Sequence, residues 1–442
     1  MGDDRGDEAD IARTAMNKAM LRIVPFLLLA YIMAYIDRVN VSFAALQMNA
    51  DLGFSATVYG FGGGLFFMGY ALFEIPSGAM ASRFGPRQWL ARIMISWGLL
   101  AVGMMFIRSA PQFYLMRFLL GAAEAGFFPG VVYYLSHWFP KSHRGRAVSR
   151  IYIAPALAGV VMGATAAPLL GLDGLAGWRG WQWVFLAQGL PAVLMGCAIL
   201  RFLPDRPEDV RWLAPAEKAW IAEALARDAA VIGHAERHDL RTVLANPAVW
   251  LLGCTGLLLN GAMGGFLLSA PAVLAANGGL TTRTIGWLVS IGGFNGAVVI
   301  LLAGWYSDRH GDRLLYAAGL GTIAALGLFL IGLAPSPGAV MAGYLLQTAV
   351  GFSAGALVIA SWPDTLPVRQ LAMGSGAINT LWQLGSFASP YVFGAVRDAT
   401  GSYHAGMLGS ATLALVYVGY VLYVRARIKG MQGRHLRAAA AI

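Results

Sequence analysis

The sequence predicts an all-α integral membrane protein: twelve transmembrane helices in two six-helix, pseudo-symmetric bundles, with both termini cytoplasmic. Three observations carry that reading. The 442 residues are 58% hydrophobic and only 12% charged, where a soluble chain carries about 25% charged residues. The apolar residues fall into twelve runs, each able to cross about 30 Å of hydrocarbon with roughly 20 helical residues. A loop motif also occurs twice, at equivalent places in the two halves, as duplicated transporter bundles would show.

In chain order the spans lie near 23–47, 57–80, 89–107, 112–136, 148–171, 181–203, 248–275, 284–306, 314–333, 338–361, 371–396 and 403–425. Residues 1–22 are a polar, acidic N-terminal tail, opposite in character to a signal peptide, so the first apolar segment is expected to be a retained helix. The first bundle covers 23–203. A long cytoplasmic central loop follows at 204–247, with an amphipathic stretch around APAEKAWIAEALARDAA. The second bundle covers 248–425, and 426–442 is a basic C-terminal tail. Gly159-x-x-x-Gly163 in the fifth span has the small-residue spacing that lets helix backbones approach closely in lipid.

Loop charges set the orientation. Arg83 and Arg87, Lys141 to Arg150, Arg309 and Arg313, and Arg425 to Lys429 all fall on one side. The alternate loops, such as NADLGFS and APSPG, are nearly free of lysine and arginine, which puts both termini in the cytoplasm. The net charge of +10 is accounted for by these loops, and nucleic-acid binding is not expected. The two cysteines, Cys197 and Cys254, lie in apolar runs and cannot form a disulfide framework or a metal site. No G-x-x-x-x-G-K-[ST] loop occurs, so ATP is not the energy source. No cofactor is expected.

The repeated loop reads Gly78-AMA-Ser82-Arg83-F-Gly85-P-Arg87 after the second span and Gly304-WYS-Asp308-Arg309-H-Gly311-D-Arg313 after the eighth. Four charges stand near mid-membrane: Asp37 and Arg38 in the first span, Arg117 and Glu124 in the fourth. Each costs at least about 2.5–3.5 kcal/mol at bilayer depth, so a partner or a task is expected. Arg117, Gly121 and Glu124 share one helix face. At a rise of 1.5 Å per residue the two charges are about 10 Å apart, too far to pair with each other. Asp37 and Arg38 point about 100° apart and cannot serve the same group. Two acids and two arginines at mid-membrane suit binding of an organic anion and carriage of protons. A static ion-pair network is the alternative, although buried pairs stabilise poorly.

The second half offers amides instead. Asn379 and Gln383, at i and i+4 of the eleventh span, could bind substrate or hold helices together. Glu74, just before Pro76, could be a further proton site, although pairing near the end of its span is the simpler reading. No nucleophile–base pair or metal cluster is apparent, and the chain is not read as an enzyme.

The repeated loops, six plus six spans and the central loop resemble the major facilitator superfamily. Asp37-Arg38-Val39-Asn40, Arg117-FLLGAA-Glu124-AGFFPG, Trp138-Phe139-Pro140, Leu203-Pro204-Asp205-Arg206-Pro207-Glu208 and Gly385-Ser386-Phe387-x-x-Pro390 resemble its anion:cation symporter family. Phe73-Glu74-Ile75-Pro76-Ser77 and the stretch after Asn40 are similar to bacterial tartrate, phthalate and hydroxyphenylacetate uptake proteins. Ser82 stands where the superfamily loop usually has Asp.

The resemblance implies a proton-coupled importer of a small organic acid anion, acting as a monomer in the bacterial inner membrane. It assigns proton exchange to Asp37 and Glu124, carboxylate recognition to Arg38 and Arg117, and a cytoplasmic latch to Arg83, Asp308 and Arg309. Export of metabolites or drugs by proton antiport is the alternative.

Overall fold

The computed structural model describes residues 3–151, 153–232, 240–333, 336–366 and 370–439, and every regular element among them is helical. The first half contains α1 (Asp3–Leu52), α2 (Ala56–Phe84), α3 (Pro86–Gly103), α4 (Ala110–Glu124), α5 (Phe127–Ser136), α6 (Lys141–Ile151), α7 (Ala154–Leu170) and α8 (Gly180–Phe202). The linking segment carries α9 (Pro215–Ile232) and α10 (Leu240–Leu244). The second half contains α11 (Pro247–Gly278), α12 (Thr282–His310), α13 (Arg313–Leu333), α14 (Pro337–Ala360), α15 (Trp362–Thr365), α16 (Leu371–Thr400) and α17 (His404–Ala439). The fourth span is interrupted, as α4/α5, and the fifth is described as α6 and α7 on either side of residue 152.

Among the described residues, eleven spans are long and apolar enough to cross a membrane by length and composition. The twelfth, α16, carries Ser375, Asn379, Thr380, Gln383, Ser386 and Ser389 along its length. It packs on both α11 and α2, and a helix surrounded by protein need not be apolar on every face.

The two halves repeat one packing scheme. α2 packs on α4, α3 on α8 and α1 on α8; correspondingly α12 packs on α14, α13 on α17 and α11 on α17. Two lateral seams, α2 on α16 and α7 on α12, join the halves. Both seams include close contacts in the half of the molecule opposite the termini, the periplasmic side by the loop charges. There Asp398 accepts hydrogen bonds from the backbone N–H groups of Ala56 (3.1 Å) and Thr57 (2.8 Å). Tyr59 donates across the halves to the carbonyl of Leu268 at 2.9 Å. Gly159 and Gly163, the close-approach pair, face Gly293 and Gly286 of α12.

At Gly60 the backbones touch so closely that a Cβ would overlap the Pro390 carbonyl. Gly60→Val is therefore expected to open the α2/α16 seam. Overpacking costs about 1–3 kcal/mol, which borne by this state alone shifts its population by roughly an order of magnitude. Labelling of a cysteine placed at Thr57 from the periplasmic side should rise several-fold. Unchanged labelling would show that the seam does not define this state.

The linking segment is docked on the first half. Lys18 donates to both carboxylate oxygens of Glu217 at 2.8 and 2.9 Å, Arg22 lies over Trp212 at 5.0 Å, and Trp212 stacks on Trp138 at 5.7 Å. Burial alone would raise the Glu217 carboxyl, but hydrogen bonds from Lys18 and the Ala214 N–H hold it below its usual range. The docking it contributes is present above the free carboxylate value and is lost as pH falls through the lowered one.

Candidate functional site

α1 delivers Asp37 and Arg38 to the middle of the first half, on diverging faces as their adjacency requires. Arg38 Nε donates to Glu124 Oε1 of α4 at 2.7 Å, and its Nη2 lies 2.6 Å from the same oxygen. Asp37 turns elsewhere: its Oδ1 accepts from Asn40 Nδ2 at 3.1 Å, one turn further along α1. Asp37 is 4% exposed, Glu124 is inaccessible and Arg117 is 1% exposed. Three ionisable groups are thus sealed from bulk water in one small volume.

Their pairing is incomplete. Arg117 Nε and Nη1, Asp37 Oδ2, Glu124 Oε2 and Asn40 Oδ1 are buried and make no hydrogen bond among the described residues. Each such group costs about 1–3 kcal/mol, more when it is charged. A static ion-pair network would satisfy these atoms; a site that takes up an anion and protons leaves them free. Arg117 stands within electrostatic range of both Asp37 and Glu124, yet no salt bridge joins it to either among the described residues. Its guanidinium instead lies over Phe66 at 4.8 Å.

Aromatic rings support both arginines. Arg38 lies over Tyr35 and Tyr70, each at 5.1 Å, and over Phe66 at 5.8 Å. Such cation–π contacts hold a guanidinium in place without using its N–H groups. Sequence reasoning passed over these rings. The signal was available: Tyr35 and Arg38 are i and i+3, and Phe66 and Tyr70 are i and i+4 on the second span.

The helix carrying Arg117 and Glu124 stops at the acid. Gly126 adopts φ 82°, which only glycine takes up readily, and α5 restarts at Phe127. A Cβ at this glycine would also overlap Ser77 of α2.

From the second half, Asn379 reaches this region, but toward Glu74: its Nδ2 donates to Glu74 Oε2 at 2.6 Å, linking α16 to α2. Gln383 lies one turn further along α16, half-buried. The latch candidates are exposed at the opposite end of the molecule from the seams. Asp308 accepts from Arg313 at 2.9 Å within its own half, and Arg313 also reaches Asp364 at 2.6 Å. Arg309 lies over Trp305 at 5.6 Å and Arg83 over Phe84 at 5.5 Å. In the equivalent place of the first half, Arg87 binds Asp205 at 2.5 Å. No group of three or more metal-ligating side chains occurs among the described residues.

Two repeated six-helix bundles around a buried, partly unpaired set of charges define a secondary transporter. The chain belongs to the major facilitator superfamily, whose family model matches residues 27–390 and 252–432. It is thus a multi-pass inner-membrane transporter of a small molecule and not an enzyme. A protein of Agrobacterium vitis, provisionally named a tartrate transporter, is 38% identical over 409 residues, covering 92% of this chain and 90% of its own. A quinolone resistance transporter of Acinetobacter baumannii is 36% identical over 425 residues, covering 95% and 96%. Among solved structures, the partially occluded inward-open xylose transporter XylE from E. coli matches with a TM-score of 0.72. That likeness covers 92% of this chain and 98% of the other at 16% identity, and is one of fold.

Proposed function

We propose that the chain imports a small organic acid anion together with protons by alternating access. One observation carries the reading: a buried arginine, Arg117, has free N–H groups beside two carboxylates that each keep one oxygen unpaired. Arg117 would take the substrate carboxylate. Asp37 would exchange the proton, and Glu124 would titrate against Arg38, releasing that arginine when protonated. Asn379 and Gln383 would meet the distal part of the substrate from the second half, Asn379 once it leaves Glu74. Arg83, Asp308 and Arg309 would act at the cytoplasmic end as the halves close there.

Two titrating acids also fit the energetics. An inward-negative potential contributes about 2.3 kcal/mol per net positive charge per 100 mV. Two protons carried with a monoanion move one net positive charge inward, whereas two protons with a dicarboxylate dianion make the cycle electroneutral and leave the pH gradient to drive accumulation.

The name of the Agrobacterium relative favours a hydroxy-dicarboxylate, and the Acinetobacter relative supports a second reading, proton-coupled export. Purified protein in liposomes separates the two. With the interior alkaline and negative, labelled tartrate, phthalate or hydroxyphenylacetate should accumulate, and a protonophore should collapse it. If no acid enters under either gradient while a quinolone is driven against a proton gradient, the exporter reading replaces this one.

A further inference from the structure

Arg92 lies within the third span, six residues after Pro86, or about 9 Å along the helix from its cytoplasmic end. It belongs to neither the central site nor the repeated loop motif. Its guanidinium sits 3.9 Å from the centre of the Trp89 ring. No carboxylate among the described residues pairs with it; Nη1 has only Ser96 Oγ at 3.5 Å, and Nε is buried without a partner. An ionisable side chain at this depth with no protein counter-charge calls for a counter-charge from elsewhere.

The faces of α3 say where it would come from. Ala91, Ile95, Gly98 and Val102 meet α8, and Ile93, Met94 and Trp97 are buried inside the bundle. Arg92, Ser96 and Leu99 fall together on the remaining side of α3 at i, i+4 and i+7, and Phe106 follows in the short 3-10 turn that continues the span. Leu99 is 58% and Phe106 64% exposed. The arginine therefore heads an apolar stripe that faces the acyl chains.

The ring beneath it is fixed. Trp89 Nε1 donates to Ser77 Oγ at 2.9 Å, and Phe84 stacks beside the indole at 6.0 Å with planes 11° apart. Arg83 lies over that phenyl ring. A second cation, with no carboxylate partner among the described residues, thus stands at the water-facing end of the same aromatic group.

We propose that this face holds an anionic phospholipid of the cytoplasmic leaflet, its phosphate on Arg92 and an acyl chain along Leu99 and Phe106. A guanidinium fork suits phosphate oxygens, and this leaflet is where anionic headgroups attract juxtamembrane cations. The site is independent of the transported substrate.

The test uses the full-length protein in a neutral detergent, titrated separately with short-chain phosphatidylglycerol, short-chain phosphatidylcholine and inorganic phosphate. Retained lipid is read by native mass spectrometry, and the melting midpoint is followed in parallel. Phosphatidylglycerol should bind and raise the midpoint, and Arg92→Gln should weaken its apparent affinity about tenfold. Arg92→Lys, which keeps charge and stem, should fall between, and it serves if the glutamine variant does not fold. Equal response to the two lipids, or wild-type phosphatidylglycerol affinity in both variants, overturns the proposal. So does full stabilisation by inorganic phosphate alone, which would make the site one for free anion.

Discussion

Arg117→Lys is expected to weaken binding of the organic acid by roughly one to two orders of magnitude, although the charge is kept. Hydrogen bonds to charged groups contribute about 1.5–3 kcal/mol, and lysine cannot reproduce the two parallel bonds of a guanidinium on a carboxylate. The geometry sharpens the expectation. Arg117 rests on Phe66 at 4.8 Å with Nε and Nη1 free, one donor on each of the two guanidinium edges that Nη2 completes for a two-point carboxylate contact. Calorimetric titration at two pH values measures the effect. Glu124→Gln is the control, expected to bind but with an altered pH dependence. Should Arg117→Lys bind like wild type, the fork assignment fails. Arg38 would then be the anion's partner, after giving up its 2.7 Å bond to Glu124.

Asp37→Asn should abolish accumulation driven by a pH gradient and leave exchange of substrate across the membrane intact. An amide has the shape of the acid but releases no proton. The neighbouring contact tolerates the change, because Asn40 donates to Oδ1 at 3.1 Å and an amide oxygen accepts equally well. Loss of uptake with retained counterflow in liposomes is the expected pattern. Normal accumulation under the gradient would remove Asp37 from the proton path. Loss of both activities would point to a structural role for this carboxylate.

The sequence made the membrane fold legible because bilayer thickness and loop charge act locally along the chain. The family of the chain was legible in the repeated Gly–Arg loops. The four mid-membrane charges stood out because lipid makes them costly. Which of them pair was not readable. That Asp37 and Arg38 diverge follows from helix geometry, but the Arg38–Glu124 contact spans 86 residues of sequence and depends on how α1 and α4 pack. The Glu74–Asn379 bond is a further step removed, since it joins the two halves. Each residue taken alone had an adequate local explanation. The interruption of the fourth span at Gly126 was hidden as well, because a glycine in an apolar run reads equally as packing or as a break.

The break at Gly126 divides the labour on the fourth span. α4, with Arg117 and Glu124, ends against α2, where Gly121 meets the Phe66 backbone. α5 belongs to another neighbourhood, its Phe127 in edge contact with Trp97 at 5.5 Å and its Phe128 stacked on Tyr31 at 5.3 Å. With no continuous hydrogen-bond ladder between the two pieces, the cytoplasmic segment can pivot while the charged segment keeps its registry. In the proposed import cycle, release to the cytoplasm would then be mechanically separable from recognition, and the escape rate could be tuned at this elbow without retuning affinity.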